Sequence, residues 1–151
     1  MNRFLPLILL AVLALISLVP ASASRAQDAG EWRSYCDDQS CYVYQDFTIS
    51  GSGSYEFYFD MVWAVARLIK FDSGGIPIIL YGAVVTIDNN NRFEFDDCGH
   101  NGCQFWNEGE IEDFLLSGDG MTIQVNDGNG WHSHSLSLRG FTAAYNGSCE
   151  E

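Results

Sequence analysis

The chain has 151 residues, of which 47% are hydrophobic and 14% aromatic, with 15 glycines, 5 cysteines and a formal charge of −13. That length suits one domain with a sizeable core, and the aromatic-rich, Gly-punctuated composition excludes a disordered, collagen-like or coiled-coil chain. With charged residues at only 18%, a helical bundle is disfavoured and an all-β fold is expected.

Arg3, the apolar stretch Leu5 to Val19, and Pro20 before Ala21-Ser22-Ala23 predict a secretory signal over residues 1–23, leaving a single domain over 24–151. A cut after Ala26 also fits. The apolar stretch is shorter than the ~20 residues that cross a bilayer, so no transmembrane anchor is expected after cleavage. Loss of Arg3 takes the formal charge from −13 to −14. The remaining bases, Arg25, Arg33, Arg67, Lys70, Arg92 and Arg139, are scattered and make no stripe for a phosphate backbone, so nucleic acid is not an expected partner. The acidity suits solubility or attraction to a cationic partner.

Cys36 and Cys41 stand five apart, as do Cys98 and Cys103, and the simplest partition makes two local bridges and leaves Cys149 over. Five cysteines allow other pairings. The competing reading is a metal site, because Cys98-Gly-His-Asn-Gly-Cys103 places a His between two thiols, but paired Cys-x-x-Cys knuckles are missing. Export to an oxidising compartment favours disulfides.

A strand is expected over Cys41–Ile49. From Tyr55 the odd positions Phe57, Phe59, Met61, Trp63 and Val65 are apolar, and beyond Met61 the even positions Val62, Ala64, Ala66 and Leu68 are apolar too. This predicts one long strand that becomes buried on both faces as it crosses the protein. Shorter strands are expected at Ile78–Ile87, Arg92–Phe95, Gly102–Trp106, Met121–Val125 and Trp131–Leu138, joined by turns at residues 50–53, 72–75, 88–91 and 126–130. Between 108 and 117, Ile111, Phe114 and Leu115 fall at helical spacing, with Asn107 and Glu110 as a capping pair and Gly118 as a stop. The sum is a two-sheet antiparallel β-sandwich, immunoglobulin-like or jelly-roll-like, with one short helix.

Chemistry is sparse in this pattern. No Gly-x-Ser-x-Gly elbow occurs, and the histidines are His100, His132 and His134, so no hydrolytic triad is suggested. His132 and His134 share one strand face and could share a transition metal, or lie near an exposed strand end. Asp37-Asp38, Asp96-Asp97 and Glu112-Asp113 are adjacent acids in a chain with 20 of them, and are no glycosidase signature. The Asp/Asn-rich turns match no helix-loop-helix calcium loop. Asn146-Gly147-Ser148 fits the glycosylation triplet. No catalytic residue, cofactor or metal is therefore assigned. The remaining candidates are aromatic: Tyr42, Tyr44, Tyr58, Trp106 and Trp131 could form a sugar- or peptide-binding platform.

Gly30-Glu31-Trp32 before Cys36, the two close cysteine pairs, and the closing Leu136-Ser137-Leu138-Arg139-Gly140-Phe141-Thr142-Ala143-Ala144-Tyr145 together resemble the invasion-associated locus B family of bacterial exported proteins. The resemblance spans about Gly30 to Gly147, with the middle, Gly75 to Val84, departing from the family's Pro-Leu-Gly-Val-like stretch. It implies a periplasmic, secreted or outer-membrane-associated β-sandwich without established catalytic residues, linked in some pathogens to host-cell entry. Within the closing motif, Leu136 and Leu138 are expected to alternate into the core. Gly140 is expected to make a bulge or close approach, Phe141 to seal one end, and Arg139 to point outward. Trp32, Leu138, Arg139, Gly140, Phe141 and Thr142 are read as structural. The function expected is non-enzymatic binding of a protein or envelope component, with inhibition of a cationic extracellular enzyme such as a lysozyme as the alternative.

Overall fold

A computed structural model describes residues 31–106 and 109–148. The expected signal over 1–23, the Asn107 cap and Cys149 lie outside the described residues. The chain forms β1 (Arg33–Cys36), β2 (Cys41–Ile49), β3 (Gly53–Asp60), β4 (Val65–Phe71), β5 (Pro77–Ile78), β6 (Gly82–Ile87), β7 (Asn91–Phe95), β8 (Asp97–Gly99), β9 (Gly102–Trp106), α1 (Glu110–Ser117), β10 (Gly120–Asn126), β11 (Trp131–Ser137) and α2 (Phe141–Gly147). One sheet runs β1-β2-β3-β4-β9-β8 with β5 beside β4, the other β11-β10-β6-β7, and every pairing is antiparallel. The chain is an all-β, two-sheet sandwich with two short helices.

The period-two pattern fills the space between the sheets. Val43, Phe47 and Ile49 on β2, Tyr55, Phe57 and Phe59 on β3, and Ala66 and Leu68 on β4 are buried against Ala83, Val85, Ile87, Phe93, Phe95, Met121, Ile123, Val125 and Leu136 of the other sheet. Burial of this apolar area is the main drive to fold. α1 inserts Ile111 and Leu115 into the same core.

The single long strand expected over residues 55–68 is instead the hairpin β3–β4, broken by a turn at 61–64. The break comes from Asp60, whose Oδ1 accepts N–H bonds from Val62 (3.0 Å) and Trp63 (3.1 Å), and from Ala64, which takes a positive φ of 51°. An Asp that bonds the backbone two and three residues on makes a turn out of an apolar run. Val62 and Trp63, which the continuous-strand reading would have buried, are 60% and 67% exposed at its tip.

The expected strand 78–87 divides into β5 and β6, with Leu80 fully buried between them. β1 and β8, not anticipated, are the short partners that close the two cysteine hairpins. In both, the bonded cysteines stand directly opposite each other, Cys36 to Cys41 and Cys98 to Cys103. The two disulfides thus fasten the two edges of the seven-stranded sheet, and His100 is left on an exposed turn. Gly102 is required there, because a Cβ would lie 2.1 Å from the Leu68 carbonyl oxygen.

The helix expected near 108–117 spans Glu110–Ser117, entered through Gly109 in the left-handed region. Gly140 makes no strand bulge. At φ 95° it starts α2, whose first residue, Phe141, is fully buried. Phe141 meets Trp32 edge to face at 5.0 Å and Phe59 at 6.4 Å, while the Trp32 Nε1–H donates to the Ser137 carbonyl at 2.8 Å. The Thr142 hydroxyl donates to the Leu116 carbonyl (2.9 Å) and the Tyr145 hydroxyl to Glu112, so α2 is tied to α1. Leu138 is buried and Arg139 exposed, in the orientations expected.

At the inner face of β4, Lys70 crosses the sandwich to Asp127 in the β10–β11 turn, Nζ to Oδ2 at 2.6 Å, with side chains 8% and 2% exposed. The Ser52 hydroxyl donates to the same oxygen at 2.7 Å, and His132 Nε2 lies 3.2 Å from Oδ1. Burial pushes the Asp127 carboxyl up, but Lys70, Ser52 and the Asn129 N–H outweigh it and hold the group well below the usual carboxylate range. His134, on the same strand face as His132, stacks on Phe47 at 5.1 Å. Asp127 thus lies beside the His132 ring and Phe47 against the His134 ring.

Candidate functional site

The strand register that builds the core also orders the opposite, outward face of the seven-stranded sheet. Arg33, Tyr44, Tyr58, Arg67, Gln104 and Asp97 face one another in a single row across β1, β2, β3, β4, β9 and β8. The next row is Tyr35, Tyr42, Asp60, Val65 and Trp106. Side chains alternate faces along a strand, so aromatic residues at outward positions of neighbouring strands must gather into a patch.

Within it, Arg33 lies over the Tyr44 ring at 4.8 Å and Arg67 over Tyr58 at 5.4 Å, while Tyr42 and Tyr58 meet edge to face at 5.8 Å. Arg33 is paired with Asp46, and Arg67 Nη2 donates to Gln104 Oε1 at 2.7 Å. The Arg67 Nε–H is buried and has no hydrogen-bond partner among the described residues. The rings bound two depressions. One, of about 390 Å³, is lined by Tyr35, Tyr42, Tyr44, Glu56 and Tyr58. The other, of about 340 Å³, is lined by Tyr42, Tyr58, Asp60, Trp63, Val65, Arg67 and Trp106.

The patch interleaves Arg33 and Arg67 with the acids Asp46, Glu56, Asp60 and Asp97. Burial, then the charge and hydrogen bond of Asp46, raise Glu56 to about 7 against the opposing pull of Arg33. Burial also raises the Tyr58 hydroxyl, against Arg67. For Glu56 the folded value lies above the ~4.3 of an unfolded chain, so the native state holds a proton the unfolded state has released. Its stabilising contribution is complete in acid and is lost as pH rises through about 7. Glu56→Gln should therefore melt with the wild type near pH ~4 and above it near pH ~8. Equal melting differences at both values would contradict the assignment.

Of the residues expected to form a platform, Tyr42, Tyr44, Tyr58 and Trp106 come together. Trp131 does not: it stands on β11 in the other sheet, its ring over Gly82. Tyr35, Trp63, Glu56 and both arginines belong to the site and were not anticipated. The Cys36–Cys41 hairpin carried a usable signal, since pairing those cysteines puts Tyr35 opposite Tyr42. Among the described residues, no group of three or more His, Cys, Asp or Glu side chains is placed to hold a metal ion. Comparison with protein-family models, with curated proteins and with solved structures finds no match to this chain.

Proposed function

We propose that this is an exported, non-catalytic binding protein of the invasion-associated locus B type, and that the outward aromatic face of its seven-stranded sheet engages a protein or envelope component. The observation that carries the reading is exposure: Tyr35, Trp63 and Trp106 are 59%, 67% and 60% open to solvent on one face, beside the half-buried Tyr42, Tyr44 and Tyr58. Clustered exposed aromatics are unusual on a surface that binds nothing, and Trp and Tyr dominate the energetics of interfaces. The family motif around Trp32 and Phe141, the N-terminal apolar stretch and the two disulfides support the family and the exported setting. No helix among the described residues is long and apolar enough to cross a membrane.

The test is capture from an envelope extract by the immobilised protein. Trp106→Ala should lose the captured component, whereas Trp131→Ala, altering a tryptophan with 59% exposure on the other sheet, should retain it. Capture that survives Trp106→Ala, or that an unrelated acidic protein matches, would refute the reading. The formal charge of −13 supports a second one, inhibition of a cationic extracellular enzyme such as a lysozyme. Salt-sensitive inhibition that Trp106→Ala leaves unchanged would favour it.

A further inference from the structure

The two depressions adjoin at Tyr42 and Tyr58, so together they make a shallow trough, ridged at those rings, from Tyr35 on β1 to Trp106 on β9. It crosses four inter-strand steps of about 4.8 Å, or about 19 Å. A trough of that length suits an extended polymer better than a compact small molecule.

Its lining narrows the chemistry. An anionic chain would find Arg33 already paired with Asp46, and Arg67 in contact with Tyr58 and Gln104. The formal charge of −13 would also repel one. A strongly cationic chain would meet these same guanidinium groups in the middle of the trough. A purely apolar ligand would cover the hydroxyls of Tyr35, Tyr42 and Tyr44 and the Arg67 guanidinium without offering them hydrogen bonds, which is costly. What remains is a ligand with flat apolar faces for the rings and a rim of neutral groups that both donate and accept hydrogen bonds. A sugar ring has both.

We infer that the trough binds an uncharged glycan chain laid across β1, β2, β3, β4 and β9, its sugar faces stacked on Tyr35, Tyr42, Trp63 and Trp106 and a hydroxyl or ring oxygen accepting from Arg67. This rests on the preceding reading of the same face as the binding surface, and names its ligand class.

Calorimetric titration with three hexasaccharides tests it: cellohexaose and chitohexaose, both neutral, and the fully deacetylated, cationic glucosamine hexamer. At least one neutral chain should bind. Trp106→Ala and Tyr42→Ala should each weaken it about tenfold or more, Trp131→Ala should not, and high salt should leave it nearly unchanged. Melting curves check that the variants remain folded. Three results would overturn the inference: no binding of either neutral chain, selective binding of the cationic hexamer, or binding indifferent to Trp106→Ala. If the neutral chains fail while envelope capture still depends on Trp106, the glycan is wrong and the binding face stands. If capture is also indifferent to Trp106, both readings fall.

Discussion

Replacing Phe141 by Ala is expected to cost about 3 to 5 kcal/mol of stability, a large share of what a domain of this size possesses. The ring is fully buried and lies against Trp32, Phe59 and Tyr145. Trp32 is fixed by its bond to the Ser137 carbonyl and so is poorly placed to collapse into the cavity. Arg139, two residues earlier and exposed, should cost well under half as much when changed to Ala. Urea or thermal melts of both variants decide the matter. If Phe141→Ala melted like the wild type while Arg139→Ala abolished capture of a partner, the motif would be a recognition surface and not a structural plug.

A comparable loss, about 3 to 5 kcal/mol, is expected for Lys70→Ala, because it leaves the Asp127 carboxylate buried without its cation. The double variant Lys70→Met with Asp127→Leu should recover part of that loss, since two apolar side chains have no charge to desolvate. Acid titration supplies an independent check. The folded Asp127 holds its proton less tightly than the ~3.9 typical of an unfolded chain, so its contribution is present above about pH 4 and disappears as pH falls through the lower folded value. Lys70→Ala should lose this acid-side decline. Losses for Lys70→Met and Asp127→Leu that simply add in the double variant would show that the pair is not energetically coupled.

Local chemistry was the readable part of this chain. The β2 and β9 boundaries, the four Gly/Asn/Asp turns and both disulfides follow from patterns spanning a few residues. The errors arose where one residue changes what a pattern means. Tyr55 to Leu68 is apolar enough for a buried strand, and the Asp60 carboxylate bonding back to the chain, with Ala64 at positive φ, divides it. Phe141–Gly147 is too short to display helical periodicity, so Gly140 read as a strand bulge or a close backbone approach, not a helix start. For the site, outward positions could be assigned by alternation within each strand. Sheet membership could not, because it is decided by pairings between distant segments. That is why Trp106 joins Tyr42 through β4 and β3 while Trp131, equally aromatic and equally exposed, lies on the other sheet.

The two hairpin disulfides have a kinetic meaning apart from their place at the sheet edges. Each joins cysteines only five residues apart, and closing a loop of that order takes on the order of 10 to 100 ns, far faster than thiol oxidation. The right partner is therefore by far the most frequent collision for each of these thiols from the moment both have emerged, before any sheet exists. Oxidative maturation should keep pace with chain emergence and consume oxidant without demanding reshuffling by an isomerase. A refolding time course with glutathione should then pass through native bridges from its first species onward.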